Sequence, residues 1–384
     1  MPAVYPYVQY SGIWTMQQVN SAISAATWPV APAPHLYAWG RNNFGQVGNG
    51  NTTSQSSPNQ IGTLTTWLSI SAGNYYITSV KTDGTLWAWG RNFNGGLGLG
   101  NTTNYSSPKQ VGALTAWSKT TCTAYSTSAI KTDGTLWTWG YNNLGQLGDG
   151  TIVSKSSPIQ IGVLTNWSTV SGGNSHVVAT KTDGTLWAWG SNSSGQLGLG
   201  NTTDYSSPKQ IGALTAWAKA FAGLAFSVAI KNDGTFWSWG NGDSGRLGLG
   251  NTTYYSSPKQ VGSLTTWASA SAWRQCLAVK TDGTAWSWGV NQYGELGLGD
   301  TTARSSPVQI GALTTWLSMA AGYYDSVALK TDGTLWSWGQ GNNGKLGLGN
   351  TTSYSSPKQV GSLTTWTTLG QTRGEVNAAI AITA

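Results

Sequence analysis

Apolar and polar positions alternate along this chain in short runs, not at helical spacing. From Thr85 to Trp89 the run Thr-Leu-Trp-Ala-Trp puts Trp87 and Trp89 on one side of an extended strand and Leu86 and Ala88 on the other. Both sides are apolar, so the strand needs cover on both. Ahead of it, Lys81-Thr82-Asp83-Gly84 is a hairpin signal, because Asp-Gly supplies the positive φ of a tight turn. Behind it, the Gly-rich stretch 90–100 makes turns and close backbone approaches. The Ser-Ser-Pro-Lys-Gln-Val run at 106–111 gives another short strand.

The same unit recurs along the chain. Trp-Gly stands at Trp39, Trp89, Trp139, Trp189, Trp239, Trp288 and Trp338, with spacings of 50 and a single 49. A second Trp marks each unit, at Trp67, Trp117, Trp167, Trp217, Trp267, Trp316 and Trp366. Four strands per unit and seven units predict an all-β, seven-bladed β-propeller. The first Trp-Gly unit lacks the turn and strand that precede every other copy, and residues 366–384 supply the missing piece. The run from Trp366 to Asn377-Ala378-Ala379-Ile380 matches that from Trp316 to Ser326-Val327-Ala328-Leu329. The ring is therefore expected to close by pairing N- and C-terminal strands in one mixed blade. Residues 36–384 are the propeller, and residues 1–35 are a separate segment ending in a Pro-rich linker.

Composition narrows the chemistry. The chain has 384 residues, 52 Gly, 23 Trp and only 9% charged residues, at a net charge of +7. Lys81, Lys131, Lys181, Lys231, Lys280 and Lys330 each precede an Asp by two positions and cancel it. No basic run exists, so no nucleic-acid partner is expected. The first 40 residues hold no Lys or Arg and no long apolar run, so neither a secretory leader nor membrane insertion is expected. Cys122 and Cys276 occupy different places in their repeats and read as buried free thiols. His35 and His176 are the only histidines, and Glu295 and Glu375 the only glutamates. With no metal-ligand spacing or phosphate-binding loop, catalytic residues, metal and cofactors are all expected to be none.

The pattern Asp-Gly-Thr-Leu-Trp-x-Trp-Gly-x-Asn-x-x-Gly-Gln-Leu-Gly-x-Gly, at 133–150 and 183–200, resembles the repeat of the regulator of chromosome condensation family. The resemblance spans residues 36–384. It implies the seven-bladed fold and a platform for protein binding, since the family includes a chromatin-bound nucleotide exchange factor and a bacterial inhibitor of β-lactamases. The exchange factor is expected to use a basic tail and an inserted wedge. This chain has an uncharged N-terminal segment and no blade insertion.

Comparing the seven copies separates the scaffold from positions free to vary. Fifteen residues before each Trp-Gly glycine stand Tyr75, Tyr125, Ser175, Ala225, Arg274 and Tyr324, with Glu375 in the closing blade. Next come Tyr76, Ser126, His176, Phe226, Gln275, Asp325 and Val376. The ring predicts one surface carrying Tyr75, Tyr125, His176, Trp273, Arg274, Tyr323, Tyr324 and Glu375 as partner-binding residues. Replacing Trp273 and Arg274 by Ala is expected to weaken binding and spare stability. A Tyr-Lys rim is a second candidate surface, with Tyr105, Tyr205, Tyr254, Tyr255 and Tyr354 near Lys109, Lys209, Lys259 and Lys358.

The segment from Tyr10 to Gln18, with Ala26 to Pro29, resembles short stretches of bacteriophage structural proteins, particularly those of marine and cyanobacterial phages. That resemblance implies a virion component anchored through Ile13, Trp14, Met16 and Trp28. Its expected partners are other virion structural proteins or a host cell-surface protein or glycan, and its expected location is the virion. The alternative is a soluble bacterial propeller in the cytoplasm that sequesters a partner protein.

Overall fold

The computed structural model describes residues 34–63, 66–370 and 378–383, within a unit running from Pro34 to Ala384. Seven four-stranded antiparallel sheets follow one another as the blades of a ring. Blade 1 holds Trp67–Ala72, Tyr76–Lys81, Leu86–Gly90 and Tyr105–Gln110 in spatial order. Blades 2 to 6 begin at Trp117, Trp167, Trp217, Trp267 and Trp316 and repeat this order. Blade 7 is mixed: Ala378–Thr383 lies between Trp366–Leu369 and Leu36–Gly40, and Gln55–Gln60 is its outer strand. Leu36 stands opposite Ile382 and Trp39 opposite Ala379, which is the expected closure.

Each blade packs on the next through the Trp-Gly unit. The indole N–H of Trp89 donates to the Gln46 carbonyl of the preceding blade at 3.1 Å, and that of Trp139 to the Gly96 carbonyl at 2.9 Å. The series runs around the ring and ends with Trp39 Nε1 donating to Lys345 O at 3.0 Å. Gly98 makes room for this contact: its φ is +72°, and a Cβ there would stand 2.6 Å from Trp139 Nε1. Trp67 meets Trp87 and Trp89 edge to face, at 6.3 and 6.0 Å between centroids. The first strands of successive blades touch, while the fourth strands, Tyr105–Gln110 and its equivalents, are partly exposed outside.

The Lys-x-Asp pairs do not meet. Lys81 Nζ sits 4.1 Å from the Trp87 centroid and 4.9 Å from that of Trp67, and the five equivalent lysines do the same. The indole faces and the aliphatic stem hold the Lys inward. Asp83 instead accepts from Thr85 N at 2.9 Å and Thr85 Oγ1 at 2.6 Å, and Trp87 Nε1 donates to Thr85 Oγ1 at 2.8 Å. Cys122 and Cys276 are both buried. No helix among the described residues is long and apolar enough to cross a membrane.

Candidate partner-binding face

The antiparallel blades all run the same way, so the ring has two distinct faces. One carries the turns between second and third strands, such as Thr82-Asp83-Gly84, beside the links between blades; a Cβ on Gly84 would strike the Thr115 carbonyl. This face is nearly identical in every blade. Leu114, Leu164, Leu214, Leu264, Leu313 and Leu363 stand on it half exposed.

The other face carries the turns between first and second strands and the loops between third and fourth. Gly73 N donates to Tyr76 O, and Arg91 N donates to Tyr75 O, both at 2.9 Å. The same carbonyl serves at Tyr125, Ser175, Ala225 and Tyr324. The scaffold thus uses the backbone of this position, and the side chain there differs from blade to blade.

The predicted binding residues divide by burial. Tyr75, Tyr125, Arg274, Tyr323 and Tyr324 are half-buried and reach the surface. His176 is a correction: it is fully buried, its Nε2 3.0 Å from Ser227 Oγ of the next blade. As first residue of its strand it points between blades, as do Tyr76, Phe226 and Asp325. Trp273 is the second correction. It is 0% exposed and packs with Leu277, Val279, Trp316 and Trp338. The turn in blade 5 spans two residues, Trp273 and Arg274, between strands ending at Ala272 and starting at Gln275. The other described turns have three, as in Gly73 to Tyr75. The shorter turn directs Trp273 inward, and the single 49-residue spacing was its signal. Glu375, Ile13, Trp14, Met16 and Trp28 lie outside the described residues.

Two cation-aromatic clusters result. On blades 5 and 6, the Arg274 guanidinium lies 5.1 Å from the Tyr323 centroid and 4.7 Å from that of Tyr324. Tyr293 meets Tyr324 edge to face at 4.9 Å. Beneath them are groups that single-residue reading missed as a set. In three blades a Gln accepts a backbone N–H two residues back, as Gln146 Oε1 does from Leu144 N at 2.9 Å. In three consecutive blades that position becomes Arg246, Glu295 and Lys345, all buried. Glu295 keeps the contact, accepting from Tyr293 N at 2.6 Å. Lys345 Nζ bonds Gln340 Oε1 at 2.7 Å and pairs with Asp325 at 3.9 Å. Burial pushes the Asp325 and Glu295 carboxyls up and the Lys345 ammonium down, against the pull of the opposite charges.

The second cluster joins blades 7, 1 and 2. Arg91 lies 5.2 Å from the Phe44 centroid, 5.1 Å from Tyr75 and 5.5 Å from Phe93. Arg91, Tyr75 and Phe93, with Tyr76, Asn94, Gly96 and Tyr125, line a hollow open to solvent. Gly96 creates it, being the one copy of the Gln146 position without a side chain.

On the fourth strands, Lys109 lies 5.6 Å from the Tyr105 centroid, and Lys209, Lys259 and Lys358 repeat the pair. The expected Tyr-Lys rim is therefore built of contacts within single strands. Among the described residues no three His, Cys, Asp or Glu side chains gather as a metal site.

A closed ring with one uniform and one varied face defines a propeller scaffold. The chain belongs to the RCC1-like family: the RCC1-like domain model matches residues 21–275, and the regulator of chromosome condensation (RCC1) repeat matches 282–329 and 332–368. A further RCC1 repeat model matches 316–345. Prp20p from Saccharomyces cerevisiae, described for its binding to Gsp1p and histones, superposes with a TM-score of 0.80 at 20% identity, over 92% of each chain. Yeast RCC1 (Prp20) bound to Kap60 gives 0.80 at 19% identity, over 100% of this chain and 96% of that one. Human WBSCR16 gives 0.80 at 19%, over 92% and 99%. At these identities the likeness establishes the fold. No curated protein matches the sequence.

Proposed function

We propose that this chain is a non-enzymatic ring that binds a protein partner through its varied face. The observation that carries this reading is the variety of that face: the turn position whose carbonyl serves the scaffold differs in side chain from blade to blade, and Tyr and Arg reach the surface there. These are the residue types that anchor protein interfaces. The reported binding of Prp20p to Gsp1p and histones supports the use of such a ring for protein recognition.

The test is position-specific cross-linking in the native setting. A photoreactive side chain at Phe93 or Tyr323 should trap a protein, and the adduct should be lost when Arg274→Ala and Tyr324→Ala are combined. The same group at Leu114, on the uniform face, should trap none. Equal trapping from both faces would sink the assignment.

On the N-terminal resemblance alone we propose a virion setting for this ring, with neighbouring virion proteins or a host surface as its partners. Residues 1–33 lie outside those described, so this setting rests on sequence alone. Protein mass spectrometry of purified particles decides it, and a chain found only in bacterial cytosol favours the sequestering alternative.

A further inference from the structure

Two guanidiniums on the varied face lie over aromatic rings, and they differ in what balances their charge. Arg274 has the buried Glu295 carboxylate near it, whose pKa it pulls down against burial. Arg91 has no such neighbour: the ion pairs among the described residues are Arg304 with Asp300 and Lys345 with Asp325. Phe44, Tyr75 and Phe93 nevertheless hold its guanidinium within 5.5 Å of three ring centroids. A guanidinium fixed this way keeps its hydrogen-bonding edge while losing little freedom on binding.

The hollow beside it has a specific origin. Gln146, Gln196, Arg246, Glu295 and Lys345 occupy the equivalent position in other blades, whereas Gly96 has no side chain and the Tyr76 ring takes part of that space, its Cζ 3.6 Å from where a Cβ would stand. Tyr76 forms its floor, its hydroxyl spent on the Ser126 carbonyl at 2.6 Å. The remaining room is about 10 Å³, space for one water-sized group at the tip of a protruding side chain.

Resting on the reading of this face as the binding surface, we propose that the Arg91 hollow is a carboxylate-binding site. It takes an Asp or Glu side chain of the partner protein. One guanidinium and the Asn94 amide match a monoanion with two acceptor oxygens; a phosphate dianion calls for more positive charge than this site holds. Phe93, 70% exposed, forms one wall of the site.

The test uses the whole chain labelled with 15N-arginine. The Nε–Hε signal of Arg91, assigned by its loss in Arg91→Lys, is followed during titration with acetyl-Gly-Glu-Gly-amide, the Gln counterpart and inorganic phosphate. The Glu peptide should give a saturable shift, with the Gln peptide weaker by roughly tenfold or more, as expected for a charge-assisted contact. Gly96→Gln should abolish the shift by filling the hollow, and Phe93→Ala, at an exposed wall, should weaken it severalfold in a ring with unchanged melting temperature. Equal response to both peptides, tighter binding of phosphate, or full affinity in Phe93→Ala would overturn the proposal. A ring that cross-links a partner yet ignores the Glu peptide refutes this site alone. One that binds the peptide but traps no protein refutes the broader reading and leaves the site standing.

Discussion

The two faces of the ring differ in which atoms hold them together. On the uniform face, side chains make the structure: Asp83 binds Thr85, Thr85 binds Trp87, and Lys81 lies on two indoles. Any change there removes a scaffold contact, so the blades keep the same residues. On the varied face, carbonyls at Tyr75, Tyr125, Ser175, Ala225 and Tyr324 do the corresponding work. A backbone acceptor is indifferent to its side chain, and six blades show four residue types at that position, Tyr, Ser, Ala and Arg. Recognition can diversify where the fold depends on backbone alone.

The sharpest test of this division is Trp273, which belongs to the varied turn by sequence and to the core by packing. Trp273→Ala should lower stability by about 3–5 kcal/mol, the usual loss for a large buried aromatic. A small loss in a denaturant titration would return Trp273 to the surface. Next in size, Gly84→Ala on the uniform face should cost about 2 kcal/mol, since its φ of +76° is unfavourable for Ala and the Cβ meets the Thr115 carbonyl. An unchanged unfolding midpoint would show the turn to be tolerant and weaken the contrast between faces.

The smallest effect is in pH. Thr85 holds the Asp83 carboxyl below its usual range, and Thr135, Thr185, Thr235, Thr284 and Thr334 do the same for their aspartates. A folded-state pKa below the unfolded value of about 3.9 gives stability that is complete above that pH and lost as pH falls through the folded value. Asp83→Asn should therefore be less stable than the wild type at pH 5, with the gap closing towards pH 2.5 in urea titrations. Asp325 and Glu295 carry the opposite sign. Burial raises them, so their contribution falls as pH rises through their raised values. A gap that stays constant with pH would show that Asp83 acts only through its shape.

Much of the fold was legible because the repeat states it seven times. The Trp-Gly spacing gave the blade number, the Asp-Gly turn gave the hairpin, and the matched ends gave the mixed blade in which Leu36–Gly40 pairs with Ala378–Thr383. The candidate site was legible only in outline. Comparing copies located the turn at Tyr75, Arg274 and Tyr324, but assigned His176 and Trp273 to the surface. The Lys and Asp of each turn cancel in net charge, but their spacing does not reveal that the ammonium lies against two indoles.

What the sequence determined by itself is therefore the local and the repeated: strand, turn and period, set by contacts within about fifty residues, and the closure that follows from matching the two ends to one repeat. The tertiary structure alone decided which varied side chains face water and which meet one another. Phe44 and Arg91 come from different blades, and so do Arg274 and Tyr324. The packing of one blade on the next brings them together, and a turn one residue shorter suffices to bury Trp273, because side-chain direction at a turn depends on its length and on the neighbouring blade.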